Sequence, residues 1–246
     1  MGIFNFFKKQ ETLLPIQLSE IGVDMHSHLI PGIDDGSKNM DETIAMLAKF
    51  QSLGYRKIIT TPHILSDYYK NTPEIILRGR DDVREVAQKL GLTIEIEAAA
   101  EYYFDEYFVE QIKQKDILTF GDNYVLVEFA FNNKPSNIEH LFFDLLSAGY
   151  HPVLAHYERY MYWLGNTDMA RKFKENGVKI QLNINSLTGH YGPEIKKQAE
   201  ALVDQNLVDF LGSDCHRIQH LMLTEQHLES PYFHQMLKNP FLNNTL

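Results

Sequence analysis

The 246-residue sequence predicts an α/β fold, a single domain built as a closed or nearly closed parallel barrel of seven β/α units. Three observations predict it. Short β-rich runs alternate with amphipathic helical stretches from residue 20 onward. Strand centres such as Lys57-Ile58-Ile59 and Tyr124-Val125-Leu126-Val127 are almost continuously apolar, as strands covered by helices are. The connections are short, with no linker, internal repeat or low-complexity tract between units. A doubly wound open sheet is the runner-up. Residues 1–20 read as an N-terminal arm and residues 21–246 as the barrel.

Taken in order, the first strand, near 21–26, runs into Asp24-Met25-His26-Ser27-His28. The helix near 40–53 opens with Asn39 and Glu42 at capping-box spacing and stops at Gly54. A strand near 57–62 ends Thr60-Thr61-Pro62-His63, and Pro73, following Thr72, starts a helix that runs to about 90 before Gly91. The strand near 92–98 leads to Ala99-Ala100-Glu101, followed by a helix near 105–114. The strand near 123–129 carries Glu128, and Ser136 with Glu139 marks the start of a helix near 137–148 that ends at Gly149. The strand near 151–155 ends at His156, before a helix near 167–176 closed by Gly177. The strand near 178–184 brings Asn183, with Asn185 just beyond it, and a helix near 193–206 follows. The last strand, near 207–213, ends Gly212-Ser213-Asp214-Cys215-His216.

Composition narrows the function. With 23 Lys+Arg against 33 Asp+Glu the formal charge is −10, which disfavours nucleic acid as a partner. The lone Cys215 excludes an internal disulfide framework and a cysteine-based zinc knuckle. No apolar run approaches the roughly 18 residues of a membrane span. Residues 1–9 are apolar and then basic, the reverse of a secretory signal, and Phe6 stands where myristoylation wants Ser or Thr. The arm therefore reads as a loosely ordered tail of a cytoplasmic protein. Membrane contact through residues 1–10 is the lesser reading.

What stands at the strand ends carries the chemistry. In a parallel barrel these ends share one rim, where five histidines (26, 28, 63, 156 and 216) meet Glu101, Glu128 and Asp214. His26 and His28, two apart on a strand, point to one side, and Asp214 and His216 repeat that spacing. Each alone has a bland reading: a surface pair, a strand cap, an ion-pair partner. Glu128 between Val127 and Phe129 is costly to bury unless a cation compensates it. The coincidence of all of them favours a metal site. Nitrogen and oxygen ligands suit Mn, Fe or Zn, and so many exceed one tetrahedral ion, so two or three ions fit better. Arg159, three residues after His156, and Arg217, next to His216, are candidate phosphate ligands, with surface salt bridges as the alternative. Cys215 and Arg217 lack the five-residue separation of a cysteine phosphatase, so Cys215 reads as a small packing residue.

The strings His26-Ser27-His28-Leu29-Ile30-Pro31-Gly32-Ile33-Asp34-Asp35-Gly36-Ser37, Thr60-Thr61-Pro62-His63, Ala155-His156-Tyr157-Glu158-Arg159 and Ser213-Asp214-Cys215-His216 resemble the PHP (polymerase and histidinol phosphatase) superfamily. Within it they resemble the bacterial metal-dependent protein-tyrosine phosphatases of capsule and exopolysaccharide operons, over roughly residues 22–220. The resemblance implies a distorted seven-stranded, TIM-like (β/α) barrel with a manganese-supported trinuclear site. His26, His28, Glu101 and Asp214 would surround one ion. Glu101 would bridge to a second, held also by Glu128 and His156, and Asp35, His63 and His216 would take the third. Asp35 is implied by the resemblance alone, since Asp34-Asp35-Gly36 otherwise reads as a turn. Arg159 would hold the phosphate. The family often places a further arginine after the last ligand pair; here Arg217 is adjacent to that pair instead.

The implied reaction is hydrolysis of phosphotyrosine by a metal-activated hydroxide attacking in line, without a phosphoenzyme. The implied partner is the tyrosine-rich tail of a membrane-anchored kinase of polysaccharide synthesis. Tyr157, Tyr160, Tyr162 and Trp163 either line the rim for the substrate ring or pack against helices. A histidinol-phosphate phosphatase is the alternative enzyme, and a degenerate barrel acting as a binding module is the non-enzyme alternative.

Overall fold

Helix boundaries in the computed structural model, which describes residues 13–246, fall where capping chemistry puts them. Asn39 caps α1 (Met40–Ser52), its Oδ1 accepting from Glu42 N–H at 3.0 Å. Glu42 reaches back to Lys38 N–H at 3.0 Å, one residue earlier than an ideal capping box. Thr72 caps α2 (Pro73–Lys89) and Asp105 caps α3 (Glu106–Gln114). α4 (Ile138–Ser147) departs from the Ser136–Glu139 expectation, because Asn137 is its cap and makes no side-chain bond. Glu139 therefore stands at the second helical position, where it cannot close a box. α5 (Asp168–Glu175) and α6 (Pro193–Asp204) follow as the pattern predicts. Gly54 and Gly177, at φ +98° and +86°, end α1 and α5 in the left-handed region.

Nine short strands, all paired in parallel, form two sheets among the described residues. β1 (Val23–Asp24), β2 (Lys57–Thr60) and β4 (Glu95–Ala98) make one, in the order β1-β2-β4. The second runs β3 (His63–Ile64), β5 (Glu101–Tyr103), β6 (Tyr124–Glu128), β7 (His151–Leu154), β8 (Lys179–Asn183), β9 (Phe210–Gly212). The predicted strand 57–62 thus ends as β2 at Thr60, with β3 starting just beyond it at His63, and the strand predicted near 92–98 is β4, with β5 following at Glu101. Pro62 has no N–H to continue a ladder, and Ala99-Ala100 steps across beside it. Thr61 N–H to Ser27 O (2.6 Å) and Glu101 N–H to Pro62 O (3.1 Å) carry the pairing across these breaks. A parallel bridge between Ser27 and Cys215, with His28 N–H donating to Cys215 O at 2.9 Å, joins the end of β1 to the end of β9. The result is a curled parallel sheet in a mixed α/β fold.

Two apolar clusters follow from strand alternation. Val23, Ile59, Ala99, Leu126, Val153 and Phe210 form a cluster inside the curl. Val125, Val127, Leu154, Ile180 and Leu182 face the helices in the larger core. Counting by two from the inner set leads from Ile59 to Thr61 and His63, from Ala99 to Glu101, and from Leu126 to Glu128. Alternation alone therefore delivers those ligand candidates to the inside of the rim.

The sequence pattern left unassigned α7 (Ile218–Gln226), α8 (Pro231–Met236) and the 3-10 turn Leu242–Thr245. Residues 1–12 of the expected arm, and with them the whole membrane-contact reading of residues 1–10, lie outside the described residues. The rest of the arm packs onto the fold: Ile16 and Leu18 are buried, and Ile16 N–H donates to Leu228 O at 2.9 Å. No helix among the described residues is long and apolar enough to cross a membrane.

Candidate metal centre

All nine predicted ligands converge at the strand ends. His26 Nε2 lies 3.1 Å from Glu101 Oε2 and 3.6 Å from Asp214 Oδ1; His28 Nε2 lies 3.4 and 3.5 Å from the same two oxygens. His156 Nε2 stands 3.1 Å from Glu101 Oε1 and 3.5 Å from Glu128 Oε1. His63 Nδ1 is 3.2 Å from Glu101 Oε2 and 3.7 Å from Glu128 Oε2. Asp35 Oδ1 sits between His216 Nε2 (3.4 Å) and His63 Nε2 (3.6 Å). Donor atoms lie within 4.8 Å of one another in four overlapping sets: His28/Asp35/His63/His216, His26/His28/Asp214, His26/Glu101/His156 and His63/Glu101/Glu128. The grouping implied by the resemblance recurs in part; His28 additionally reaches the Asp35 set, and His63 the Glu128 set.

The donor set fits divalent cations. His26 Nε2, His28 Nε2 and Glu101 Oε2 are buried without a hydrogen-bond partner, a costly arrangement that a coordinated cation relieves. Tautomers point the same way. Gln181 Oε1 accepts from the His156 amide N–H at 2.8 Å, so the oxygen faces His26 Nδ1 at 3.0 Å and that nitrogen must be the donor. Asp34 Oδ2 accepts from His28 Nδ1 at 2.8 Å, and the Asp214 carbonyl accepts from His216 Nδ1 at 3.0 Å. Three Nε2 lone pairs are thereby turned toward the cluster, the usual device for orienting metal-binding histidines.

Electrostatics show how strongly the carboxylates are coupled. Burial opposes the charge of Glu101, yet His26 and His63 outweigh it and hold its carboxyl well below the usual range. Burial and the neighbouring Glu101 and Asp214 push Glu128 well above it. Asp35 is lowered to about 2, chiefly by its hydrogen bond with His216. Two carboxylates driven apart in this way mark a site short of positive charge.

Backbone strain is concentrated at the same place. His156 and Asp214 are non-glycine residues at φ +30° and +49°. Gly36 has no room for a side chain, since a Cβ there would lie 2.3 Å from His28 O.

Arg159 stands over this cluster. Its Nη1 donates to Asp214 Oδ2 at 2.9 Å, and its guanidinium is sandwiched between the rings of Phe131 (4.3 Å) and Tyr191 (4.4 Å). Arg217 is exposed at the mouth of the same cavity, which has a volume of about 240 Å³. Aromatic packing resolves one open choice. Tyr157, Tyr160 and Trp163 are buried, with Tyr157 stacked on Trp163 at 5.0 Å, so they support the site instead of lining it. Cys215 is buried with Sγ 3.7 Å from Met46 Sδ on α1, and burial pushes its thiol well up, as a packing residue requires.

A family model described as "Capsular polysaccharide synthesis, CpsB/CapC" matches residues 22–243. The chain belongs to the CpsB/CapC family. The match runs past residue 220, where the recognisable motifs end, and takes in α7, α8 and the start of the C-terminal turn. Among curated CpsB/CapC relatives, the putative tyrosine-protein phosphatase CapC of Staphylococcus aureus is 33% identical over 80% of this chain and 77% of its own length. Tyrosine-protein phosphatase YwqE of Bacillus subtilis is 31% identical, over 80% and 78%. A solved structure from work on YwqE of Bacillus subtilis and CpsB of Streptococcus pneumoniae, metal-dependent tyrosine phosphatases, superposes with a TM-score of 0.76 at 27% identity, covering 89% of this chain and 96% of that one.

Several residues of this CpsB/CapC site escape sequence reasoning. Gln181 was detectable as a lone polar residue between Ile180 and Leu182 on a buried strand. Phe131 follows Glu128 by three residues, as Arg159 follows His156. Asp34 looks like a turn residue and is also a histidine partner. Tyr191 and His220, which line the cavity, carry no local signal. Asn183 donates to Asp214 Oδ2 at 2.7 Å and so belongs to the site, whereas Asn185 anchors α7 through His220 O and Thr224.

Proposed function

We propose that this chain is a protein-tyrosine phosphatase that works with two or three divalent ions, manganese in the first place and iron or zinc as alternatives, held by the nine side chains of the rim. The observation that carries this is the buried, unpartnered set of His26 Nε2, His28 Nε2 and Glu101 Oε2 beside the Arg159–Asp214 pair. His26, His28 and Asp214 would hold one ion; Glu101, centrally placed between four histidines, would be shared. Glu128 with His156 and Asp35 with His63 and His216 would complete the others. Bound ions supply charge to neutralise phosphoryl oxygens and acidify a water molecule near neutral pH.

The chain's own residues do the remaining work. Arg159 keeps one edge on Asp214 and offers its other N–H groups to a phosphoryl oxygen, while Phe131 and Tyr191 fix the plane of the fork. Arg217 at the mouth is placed to meet an outer phosphate oxygen. Gln181 and Asp34 hold the histidines in the ligating tautomer. The leaving group is a phenolate, whose conjugate acid has a pKa of about 10, far easier to expel than an alkoxide.

The two broken strands, β2/β3 and β4/β5, each count as one, so the nine strands support a distorted seven-unit barrel spanning residues 21–246. The family's place in capsular polysaccharide synthesis supports a tyrosine-phosphorylated protein of that system as substrate, in particular the cytoplasmic tail of a membrane-anchored tyrosine kinase. The test is protein stripped of metal, resupplied with Mn²⁺, and assayed on a phosphotyrosine peptide, histidinol phosphate and single-stranded DNA. Mn²⁺-dependent turnover of the peptide, abolished by His156→Ala and unchanged by Cys215→Ser, is expected. Full activity after complete chelation, or preference for histidinol phosphate, overturns the reading.

A further inference from the structure

We infer that His190 donates a hydrogen bond to the tyrosine oxygen as its bond to phosphorus breaks. This rests on the phosphatase reading above and names the group that receives the leaving phenolate. In-line displacement puts the attacking and leaving oxygens on opposite sides of phosphorus. With the phosphoryl group seated against the ligand side chains, the leaving oxygen points to the mouth. Size requires the same direction. A cavity of about 240 Å³ is smaller than the roughly 300–1,000 Å³ that enclose a drug-sized ligand, so a peptide carrying the tyrosine must extend outward. His190, Arg217 and His220 line both this cavity and an outer groove of about 430 Å³, and so frame the passage between them.

Of those three, His190 has the donor to spare. Arg217 is given above to an outer phosphate oxygen, and His220 spends Nδ1 on the Asp214 carbonyl at 3.2 Å. The His190 ring makes no hydrogen bond or ion pair among the described residues; its backbone N–H donates to Thr188 Oγ1 at 3.2 Å. An imidazole carries at least one N–H in either charge state, so the donor does not depend on protonation. Local structure holds the ring in place although the residue is exposed. Gly189 and Gly192, at φ +90° and +104°, bracket His190-Tyr191 in a tight turn closed by Gly192 N–H to Gly189 O at 3.0 Å. The His190 ring meets those of Tyr191 and His220 edge to face, at 4.7 and 5.3 Å between centroids. Tyr191 is itself a ring over Arg159, so the turn that clamps the phosphate-binding fork also carries this donor.

As the bond breaks, its electron pair passes to the tyrosine oxygen, the oxygen derived from water takes its place on phosphorus, and the phenolate takes up a proton from solvent. Negative charge grows on the tyrosine oxygen only as the bond breaks. A fixed N–H there stabilises the transition state more than the ground state.

The test measures kcat/KM of the full-length, Mn²⁺-loaded protein on phenyl phosphate and p-nitrophenyl phosphate, with a phosphotyrosine peptide alongside. Nitrophenolate spreads its charge into the ring and gains less from a donor. His190→Phe keeps the aromatic edge but has no side-chain N–H. It is expected to lose about tenfold on phenyl phosphate and the peptide, and only about twofold on p-nitrophenyl phosphate. His190→Gln, which restores an N–H, recovers most of the loss, and both variants retain bound Mn²⁺ at the wild-type level. Equal losses on the two esters, no loss on phenyl phosphate, or loss of bound Mn²⁺ overturn the role of His190 while leaving the phosphatase reading intact. Absence of wild-type turnover on all three substrates overturns the two together.

Discussion

Gln181 places one oxygen between two histidines from different strands, and its amide nitrogen donates to Asn183, which in turn donates to Asp214. Removing it frees His26 to adopt the other tautomer and leaves the His156 amide unpaired. Gln181→Leu is therefore expected to weaken metal binding by about 10–100-fold, read as metal retained after dialysis against a graded chelator, with the fold intact by circular dichroism. Arg159→Lys keeps the charge but loses the planar fork held by Phe131 and Tyr191. It should lower kcat on a phosphotyrosine peptide by roughly 100-fold, and an unchanged kcat would remove Arg159 from the site. The ligand types other than Asp35 were legible because each is a titratable residue at the end of an apolar run, whereas Asp35 sits in a segment that reads as a turn. Gln181, Phe131 and Tyr191 were not, because a neutral amide or an aromatic ring has many uses. Which use it serves depends on neighbours 25 to 155 residues away, as His156 and His26 are from Gln181.

Element boundaries followed local chemistry closely, since capping and left-handed glycines act over four residues or fewer. The departures came where neighbouring segments decide. The strand predicted at 57–62 ends at Thr60, and beyond Pro62 the chain enters the other sheet at His63, while Asn137 displaces Ser136 as the cap of α4. The C-terminal turn Leu242–Thr245 shows the same dependence at larger separation. Asn243 is fully buried; its Oδ1 accepts from Leu211 N–H at 2.9 Å, and its Nδ2 donates to Val23 O at 2.8 Å and Leu211 O at 2.7 Å. One side chain thus bonds the first strand and the last, which also meet through the Ser27–Cys215 bridge and through Asp24, whose carboxylate accepts from Ser213 N–H at 2.7 Å and Ser213 Oγ at 3.0 Å. Asn243→Ala should cost about 3 kcal/mol, because it leaves buried backbone groups unpaired, and should lower Tm by roughly 6–12 °C. Loss of Asn39 as a cap, in Asn39→Ala, should cost only about 1 kcal/mol.

At the scale of the whole molecule, five histidines and four carboxylates from both ends and the middle of the chain are held at one rim. Crowding of that kind disfavours the folded state until cations bind, so metal and stability are linked. Mn²⁺ at about 100 times its Kd should stabilise the fold by about 2.7 kcal/mol and raise Tm by roughly 5–10 °C, reversed by chelation; a Tm indifferent to metal would contradict the assignment. The sequence by itself determined the alternation of strands and helices, where most helices begin and end, and which residue types stand at the strand ends. Those properties are set by periodicity and by interactions within a few residues. Tertiary structure alone decided which ligands share donor distance, how Arg159 is clamped, and that Tyr157, Tyr160 and Trp163 pack inward. Each depends on how the sheet curls and which distant strands it brings side by side, and local periodicity does not specify curvature.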